Sequence, residues 1–176
     1  MDSVKNRLIV LVVAACTIAS ACGGDDPTGP SNQPLVFAAT LSAASEVPPV
    51  TNAESTATGT ATITITPTRD AANAITGGTA SFNFSVSGLT STSNITLAHI
   101  HTGASGVAGG VLVNTGLSAA TAIPTPQGSA SFQSSTPVTV DATTINSIVA
   151  NPAGFYFNVH TSLNPGGVVR GQLRAQ

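Results

Sequence analysis

Strict alternation of apolar and polar side chains is the sequence feature that most constrains how this chain can fold. It is clearest in residues 58–66, TGTATITIT, and recurs in residues 80–89, ASFNFSVSGL. Successive side chains of a β-strand point to opposite faces of the sheet, so the pattern predicts two strands, each with one face in the core and one in solvent. The predicted core positions are Ala61, Ile63, Ile65, Phe82, Phe84 and Val86.

Shorter runs of the same kind, separated by Gly- and Pro-rich segments, predict further strands. They lie at residues 36–44, 95–103, 109–116, 128–135, 155–161 and 167–173, and residues 67–78 are expected to form a turn. One helix is expected near 141–150, capped by Asp141 and ended by Pro152. Its apolar face would consist of Ile145, Ile148 and Val149. The predicted fold class is therefore all-β, an antiparallel β-sandwich or barrel with one short helix.

Residues 1–22 have the features of an export signal. Lys5 and Arg7 precede an apolar run that is too short to cross a bilayer comfortably as a permanent helix. The run ends in small residues before Cys22, an arrangement that resembles a bacterial lipoprotein signal, in which the cysteine becomes the lipid-modified first residue of the mature protein. The alternatives are a weaker competing site formed by Val13, Ala14, Ala15 and Cys16, ordinary cleavage near Ala21, and an uncleaved anchor.

The remainder of the chain divides into a tether and one domain. Residues 23–34 are rich in Gly, Pro, Asp and Ser, which predicts a flexible tether, and residues 35–176 have the length of a single domain. Removal of the signal would take Cys16 with it, so no thiol pair would remain for a disulfide. Gly23 after Cys22 favours the outer membrane of a bacterial cell envelope as the location, with secretion as the alternative.

Composition and motifs argue against several functional classes. Only 7% of the residues are charged and the formal net charge is -2, so the chain offers no basic surface for nucleic acid. The sequence has no GxSxG motif, no P-loop, no cysteine beside a histidine and no paired carboxylates suited to glycoside hydrolysis. These features favour a binding role over catalysis, and they require no cofactor.

All three histidines lie in two similar stretches, residues 97–110, LAHIHTGASGVAGG, and residues 155–167, FYFNVHTSLNPGG. Strand alternation places His99 and His101 on one face, and the aromatic residues of the second stretch predict that His160 also faces outward. If the two hairpins lie side by side, the three imidazoles would form an open zinc or copper site, with water completing the coordination. The alternative is that each imidazole bonds a backbone carbonyl or a Thr hydroxyl at a turn.

Further polar residues extend this patch. The two stretches fit an internal repeat in which Asn158 takes the place of His99, and alternation adds Arg170 and Gln172. Arg170 has a second interpretation, since pairing with Glu46 or Asp141 would fix a loop, although such a pair contributes little when exposed. The predicted binding patch comprises His99, His101, Asn158, His160, Arg170 and Gln172, with the histidines of both hairpins at one shared rim.

Four segments taken in order resemble the CHRD (chordin-type) domain. They are LSAASEVPPV (41–50), TGTATITI (58–65), LAHIHTGASGVAGGVLV (97–113) and NPAGFYFNVHTSLNPGGVVRGQL (151–173). The resemblance implies an all-β, immunoglobulin-like fold and, in the animal protein chordin, a context of binding secreted growth factors. For bacterial members it implies no established reaction. The family usually carries Glu where Val168 stands here, so no ion-pair or metal-ligand role is carried over to that position.

Two functional hypotheses follow. The first is a non-catalytic binding module held at the membrane by a lipid anchor, with a protein or a polysaccharide as its ligand. The second is a metal-binding protein that uses His99, His101 and His160 to hold one copper or zinc ion.

Overall fold

The computed structural model describes residues 31–176, so the predicted signal with Cys22, and the tether up to residue 30, lie outside the described residues. Eleven strands and one α-helix, α1 (Ala142–Ala150), make up most of this part of the chain. The strands are β1 (Leu35–Ser42), β2 (Thr58–Arg69), β3 (Ile75–Ser87), β4 (Asn94–Thr102), β5 (Val111–Asn114), β6 (Ile123–Pro124), β7 (Ser129–Gln133), β8 (Val138–Asp141), β9 (Phe155–Thr161), β10 (Val169–Gln172) and β11 (Arg174–Ala175).

The strands form one antiparallel sheet that curls into a half-barrel. Its main order is β5-β4-β9-β10-β1-β2-β3-β7, with β11 paired to β1, β6 to β4 and β8 to β3. Three strands separate β9 from β3 in this order, yet the ring centroids of Phe157 and Phe84 are only 5.5 Å apart. The two halves of the sheet therefore face each other across the core. The predicted all-β, antiparallel class with one helix is confirmed.

Strands β2 and β3 have the predicted alternation, and all six predicted core residues are at most 3% exposed. The hairpin is longer than expected, because β2 continues through Pro67 to Arg69 and the turn shrinks to residues 70–74. The Asp70 carboxylate accepts hydrogen bonds from the backbone N–H groups of Ala72 and Ala74, both at 2.9 Å. Such local side-chain bonds close a tight turn that alternation alone does not reveal.

Helix α1 lies where it was predicted and is capped as predicted. The Asp141 carboxylate accepts hydrogen bonds from the backbone N–H and the hydroxyl of Thr144. Ile145 and Ile148 are fully buried, but Val149 is 44% exposed, so its assignment to the apolar face is wrong. The helix is covered along a stripe narrow enough to exclude Val149, which is rotated by about 100° from Ile148.

The outer face of the sheet positions the candidate site. Directly paired residues point to the same face, and one row of pairs crosses the sheet from Ser87 through Thr58, Ser42, Arg170, Asn158 and His99 to Asn114. We call the outer face of β1, β2, β3 and β7 the hydroxyl half, and that of β4, β9 and β10 the histidine half. Within residues 31–176, no helix has the length and apolar character needed to span a membrane.

Candidate functional site

The register between β4 and β9 brings the histidines together. His99 lies opposite Asn158, His101 lies opposite Tyr156, and His160 lies opposite Leu97, so these side chains share the outer face. The two hairpins stand side by side, but β4 and β9 are antiparallel, and the loops that follow them leave the sheet at opposite ends. The expected shared rim is therefore wrong. The rings meet over the middle of the strand pair instead.

The three imidazoles form one compact cluster. The ring centroid of His99 lies 5.0 Å from that of His160 and 5.5 Å from that of His101. The ring centroids of His101 and His160 are 6.2 Å apart. His99 Nδ1 is 3.2 Å from His160 Nε2. Each ring offers one nitrogen such that these nitrogens all lie within 4.8 Å of one another. The cluster thus brings together three imidazole nitrogens, which could bind a single metal ion.

The histidine half is buried, although alternation predicts an outward-facing patch. The three histidines are 6 to 8% exposed, Asn158 is 2% exposed and Arg170 is 1% exposed. The loops after β4 and β9 reach back over this face, as the hydrogen bonds from His101 to Gly109 and from His160 to Pro165 show. Alternation correctly assigns these residues to the outer face, but it carries no information on the loops that cover it.

These two hydrogen bonds determine which ring nitrogen of His101 and of His160 carries the hydrogen. His101 Nδ1 lies 3.0 Å from the Gly109 carbonyl oxygen, and His160 Nδ1 lies 2.9 Å from that of Pro165. A carbonyl can only accept, so each Nδ1 carries the hydrogen, and a neutral ring then has its lone pair on Nε2. His101 Nε2 is buried and has no hydrogen-bond partner among the described residues. The loops thereby hold two imidazoles in the form that binds a metal, with the second nitrogen fixed by a carbonyl.

Glycines allow both loops to approach so closely. A Cβ on Gly109 would overlap the carbonyl oxygen of Thr102, whereas a Cβ on Gly110 would meet nothing within 4 Å. Gly167 has a φ of +133°, and a Cβ there would lie 2.6 Å from Glu46 Oε1. Each loop therefore needs glycine at one of its paired positions for steric reasons.

The environment favours neutral imidazoles. Burial, together with the neighbouring His160 and His101 rings, lowers the pKa of His99 to about 4. Burial also lowers the pKa of His160, although its hydrogen bond to Pro165 acts in the opposite direction. Both rings are therefore neutral near pH 7 in the metal-free protein, and neutral imidazole is the species that binds metal ions.

A buried carboxyl group, that of Glu46 in the connection between β1 and β2, lies beside Asn158 next to the cluster. Burial raises the pKa of Glu46 to about 7, against the smaller opposing effects of the Arg170 charge, the Asn158 amide and the Val47 backbone N–H. The other end of the Asn158 amide, Oδ1, lies 3.0 Å from His160 Nε2. Asn158 thus connects a carboxyl group that is partly protonated at neutral pH to the histidine cluster.

Arg170 is held mainly by backbone carbonyls and an aromatic ring. Its Nη2 donates to the carbonyl oxygens of Ala104 and Val107 and to Gln172 Oε1, at 3.1 to 3.2 Å. Its guanidinium carbon lies 3.5 Å from the centroid of the Tyr156 ring. The His101 ring also stacks on Tyr156, with 4.9 Å between the two ring centroids. Gln172 Nε2 donates to Gly103 and Ala153, which ties the loop to the strand. Arg170 and Gln172 thus anchor the loop after β4.

Asp141, one expected partner of Arg170, instead caps α1. The other, Glu46, is close enough for the Arg170 charge to lower its pKa.

Sequence reasoning missed Tyr156 and Glu54. Tyr156 stacks on His101, and its hydroxyl oxygen accepts a hydrogen bond from the backbone N–H of Gly109. Glu54 is fully buried and accepts hydrogen bonds from Thr90, Thr161 and Asn164. Burial raises the pKa of Glu54, but its hydrogen bonds, led by that from Thr161, outweigh burial and lower it overall. The alternation of β9 signals the position of Tyr156, whereas no pattern in the sequence signals Glu54.

The chain matches a known family over most of its length. The family model described as CHRD domain matches residues 37–173, which include every strand that carries the histidine cluster. No curated protein and no solved structure matches the chain. The segments that resemble this family contribute the three histidines, Asn158, Arg170 and Gln172, and the match covers more than half of the chain. The protein therefore belongs to the CHRD domain family.

Proposed function

We propose that this protein is a non-catalytic binding module of the bacterial cell envelope that holds one copper or zinc ion through His99, His101 and His160. The observation that carries this proposal is the convergence of three ring nitrogens within 4.8 Å. Membership of the CHRD family supports a binding module in general, and the histidine cluster supports a metal ion as the ligand.

The geometry fits an imidazole-bound metal with small adjustments. Nitrogens bound to one tetrahedral zinc ion lie about 3.3 Å apart, because each bond is about 2 Å long and the bonds meet at about 109°. The ring nitrogens, which lie within 4.8 Å of one another, would therefore have to close by at most about 1.5 Å, which side-chain rotation can provide. A neutral His160 also points its Nε2 lone pair at Asn158 Oδ1, 3.0 Å away. A cation bound to Nε2 would remove the repulsion between these two acceptors.

Three imidazoles suit both zinc and copper, and they would keep one coordination position open for water or another ligand. The chain has no methionine or cysteine in residues 31–176, so a soft sulfur ligand from this part of the chain does not contribute to metal selection. The proposal is non-catalytic because, among the described residues, no serine or threonine hydroxyl is hydrogen-bonded to a ring nitrogen of the cluster, so no nucleophile is paired with a base there. Turnover of a substrate that is lost in His101→Gln would contradict this part of the proposal.

Metal analysis tests the proposal directly. We expect the full chain, dialysed against EDTA and then exposed to excess zinc or copper and desalted, to retain one metal ion per chain by elemental analysis. His101→Gln should lose this ion, since two imidazoles hold a metal far more weakly than three. Asn114→Ala is the matched control, because Asn114 lies opposite His99 on the same face but is exposed. Wild-type protein that retains no stoichiometric metal would contradict the proposal.

The envelope location is a separate part of the proposal, and it rests on the signal that precedes Cys22. In a bacterial host, growth with an alkyne-tagged fatty acid should label the wild-type chain and the Cys16→Ser variant, but not Cys22→Ser. Labelling of Cys22→Ser would contradict lipidation at that residue. Fractionation of the labelled cells should place the protein in the outer membrane, and release into the medium would favour secretion instead.

A further inference from the structure

A cavity with two arginines lies where the histidine half meets the hydroxyl half. Residues 31–176 contain three side chains that are positively charged at neutral pH, Arg69, Arg170 and Arg174. Two of them, Arg170 and Arg174, line one cavity of about 180 Å³. Its other side-chain donors and acceptors are Thr40, Ser45, Ser105 and Gln172, and no carboxylate lines it. Such a concentration of the available positive charge indicates an anionic ligand.

Arg170 is preorganised for this role. Its Nη2 hydrogen bonds go to two backbone carbonyls and one amide oxygen, and Tyr156 supports the flat side of the guanidinium. The Glu46 carboxyl group is close enough to interact with the Arg170 charge, but it does not line the cavity. The Arg170 side chain is 1% exposed, so it is held in place without needing to be ordered by a ligand. Because Nη2 is occupied by these three acceptors, a carboxylate in the cavity would be bound by the remaining N–H groups of Arg170 and by the exposed Arg174.

The cavity continues into a larger, uncharged trough on the hydroxyl half. This trough has a volume of about 570 Å³ and shares Thr40 with the arginine cavity. Eight of its twelve lining residues are Ser or Thr, and none is charged. Ser42 at the trough lies directly opposite Arg170 in the sheet, which places the two cavities side by side. A ligand that spans both would therefore meet many hydroxyls and then a pair of arginines.

We infer that this surface binds an acidic polysaccharide, with the sugar hydroxyls along the Ser/Thr trough and a carboxylate in the Arg170–Arg174 cavity. Hydroxyl groups both donate and accept hydrogen bonds, so they match the hydroxyls of a sugar chain. An acidic peptide would be expected to use pockets for large apolar side chains as well, and the large apolar side chains that line the trough, Leu41 and Val86, are at most 2% exposed. This inference goes beyond metal binding and does not depend on it.

Calorimetric titration of the full chain with the hexamer of α-1,4-linked galacturonic acid tests this inference. The buffer contains EDTA, so that failure of the metal proposal does not affect the result. We expect saturable binding with a Kd below about 1 mM, weakened by added salt because exposed charges are screened. Maltohexaose has the same linkage and ring number but no carboxylates, and it should bind at least about tenfold more weakly.

Matched variants locate the site. Arg174→Gln should weaken binding of the hexamer about tenfold, because Arg174 is exposed at the cavity and its loss removes a charge-assisted contact. Arg69→Gln makes the same change in charge elsewhere, where Arg69 donates to Asn73, and should alter the Kd less than about twofold. Thr60→Val, within the trough, should weaken binding about threefold, whereas Thr66→Val on the same strand outside it should not.

Several results would overturn the inference. These are the absence of binding at millimolar hexamer, equal losses in Arg174→Gln and Arg69→Gln, and equal affinity for maltohexaose. Equal affinity for an oligoglutamate of the same charge would also overturn it, because that would show a general attraction for anions in place of recognition of a sugar chain.

Discussion

The hydroxyl half and the histidine half of the outer face are built by the same alternation, but they differ in what covers them. Thr58, Thr60 and Thr62 on β2 are exposed, and their hydroxyls are open to water. On β4 and β9 the corresponding positions carry histidines and asparagine, and the following loops bury them. On a covered sheet face, buried polar side chains must form hydrogen bonds with other protein groups, because water does not reach them. These hydrogen bonds select the histidine tautomers, and the burial lowers the pKa values of His99 and His160.

The difference also separates two kinds of binding surface. The histidine half holds a closed cluster of three imidazoles, and the rings of His101 and His160 are fixed by hydrogen bonds to Gly109 and Pro165. The hydroxyl half forms an open trough, and most of the residues that line it are Ser or Thr. Substitutions should therefore have large effects on stability in the histidine half and small effects in the hydroxyl half.

The largest expected effect comes from the loop that closes the histidine half. Gly109→Ala places a Cβ on the Thr102 carbonyl, so the loop must move away and the hydrogen bond from His101 to Gly109 is lost. We expect a loss of about 3 kcal/mol in the free energy of unfolding, measured with urea. Gly110→Ala, which has space for a Cβ, should change it by less than about 0.5 kcal/mol. Similar values for the two variants would show that the loop does not cover the cluster.

The second prediction concerns pH in the metal-free protein. The pKa of His99 is 6.5 when unfolded and about 4 when folded, so the unfolded chain binds more protons between these values. Stability from His99 is therefore complete above pH 6.5 and is lost as the pH falls toward 4, and the lowered pKa of His160 acts in the same direction. Glu46 has the opposite sign. Its pKa rises from 4.5 to about 7 on folding, so its contribution is complete below pH 4.5 and is lost as the pH rises through 7.

These opposing contributions should nearly cancel in the wild-type protein. Glu46→Gln removes one of them, and we expect this variant to lose about 2 to 3 kcal/mol of stability between pH 7 and pH 4.5. The wild-type protein should lose less than about 1 kcal/mol over the same range. Urea unfolding in EDTA at the two pH values measures both. Parallel pH profiles for the two proteins would contradict the opposing titrations of His99 and Glu46.

The third prediction compares the same residue type in the two halves. Asn158 is buried between Glu46 and His160, whereas Asn83 is exposed on β3. Asn158→Ala should lower the free energy of unfolding by about 2 kcal/mol, because it deprives buried polar groups of a partner. Asn83→Ala should change it by less than about 0.5 kcal/mol. If thermal or urea unfolding shows equal losses, the burial of the histidine half does not determine its energetics.

Sequence predicts most of the fold because alternation records which residues face the core, and the predicted strands and helix follow from it. It also predicts that His99, His101, Asn158 and His160 share one face. The sequence does not predict that the loops after β4 and β9 bury these residues. Glycine sterics and single hydrogen bonds position the two loops, and neither leaves a periodic pattern in the sequence. For the same reason, the sequence cannot show that Glu46 approaches Asn158, since 112 residues separate them and only tertiary packing joins them.

The smallest effect is expected at Tyr156, which joins the cluster to its covering loop through one hydroxyl. Tyr156→Phe keeps the ring between His101 and Arg170 and removes only the acceptor for the backbone N–H of Gly109, which is 3.3 Å away. A single neutral hydrogen bond of this length contributes about 1 kcal/mol, so the free energy of unfolding should fall by that amount. Metal retention should be unchanged, because the ring nitrogens of His101 are not affected. Tyr156→Leu is the matched contrast, since it also removes the aromatic stack and should cost more. A Phe variant as unstable as the Leu variant would show that the hydroxyl, and not the ring, holds the loop over the histidine half.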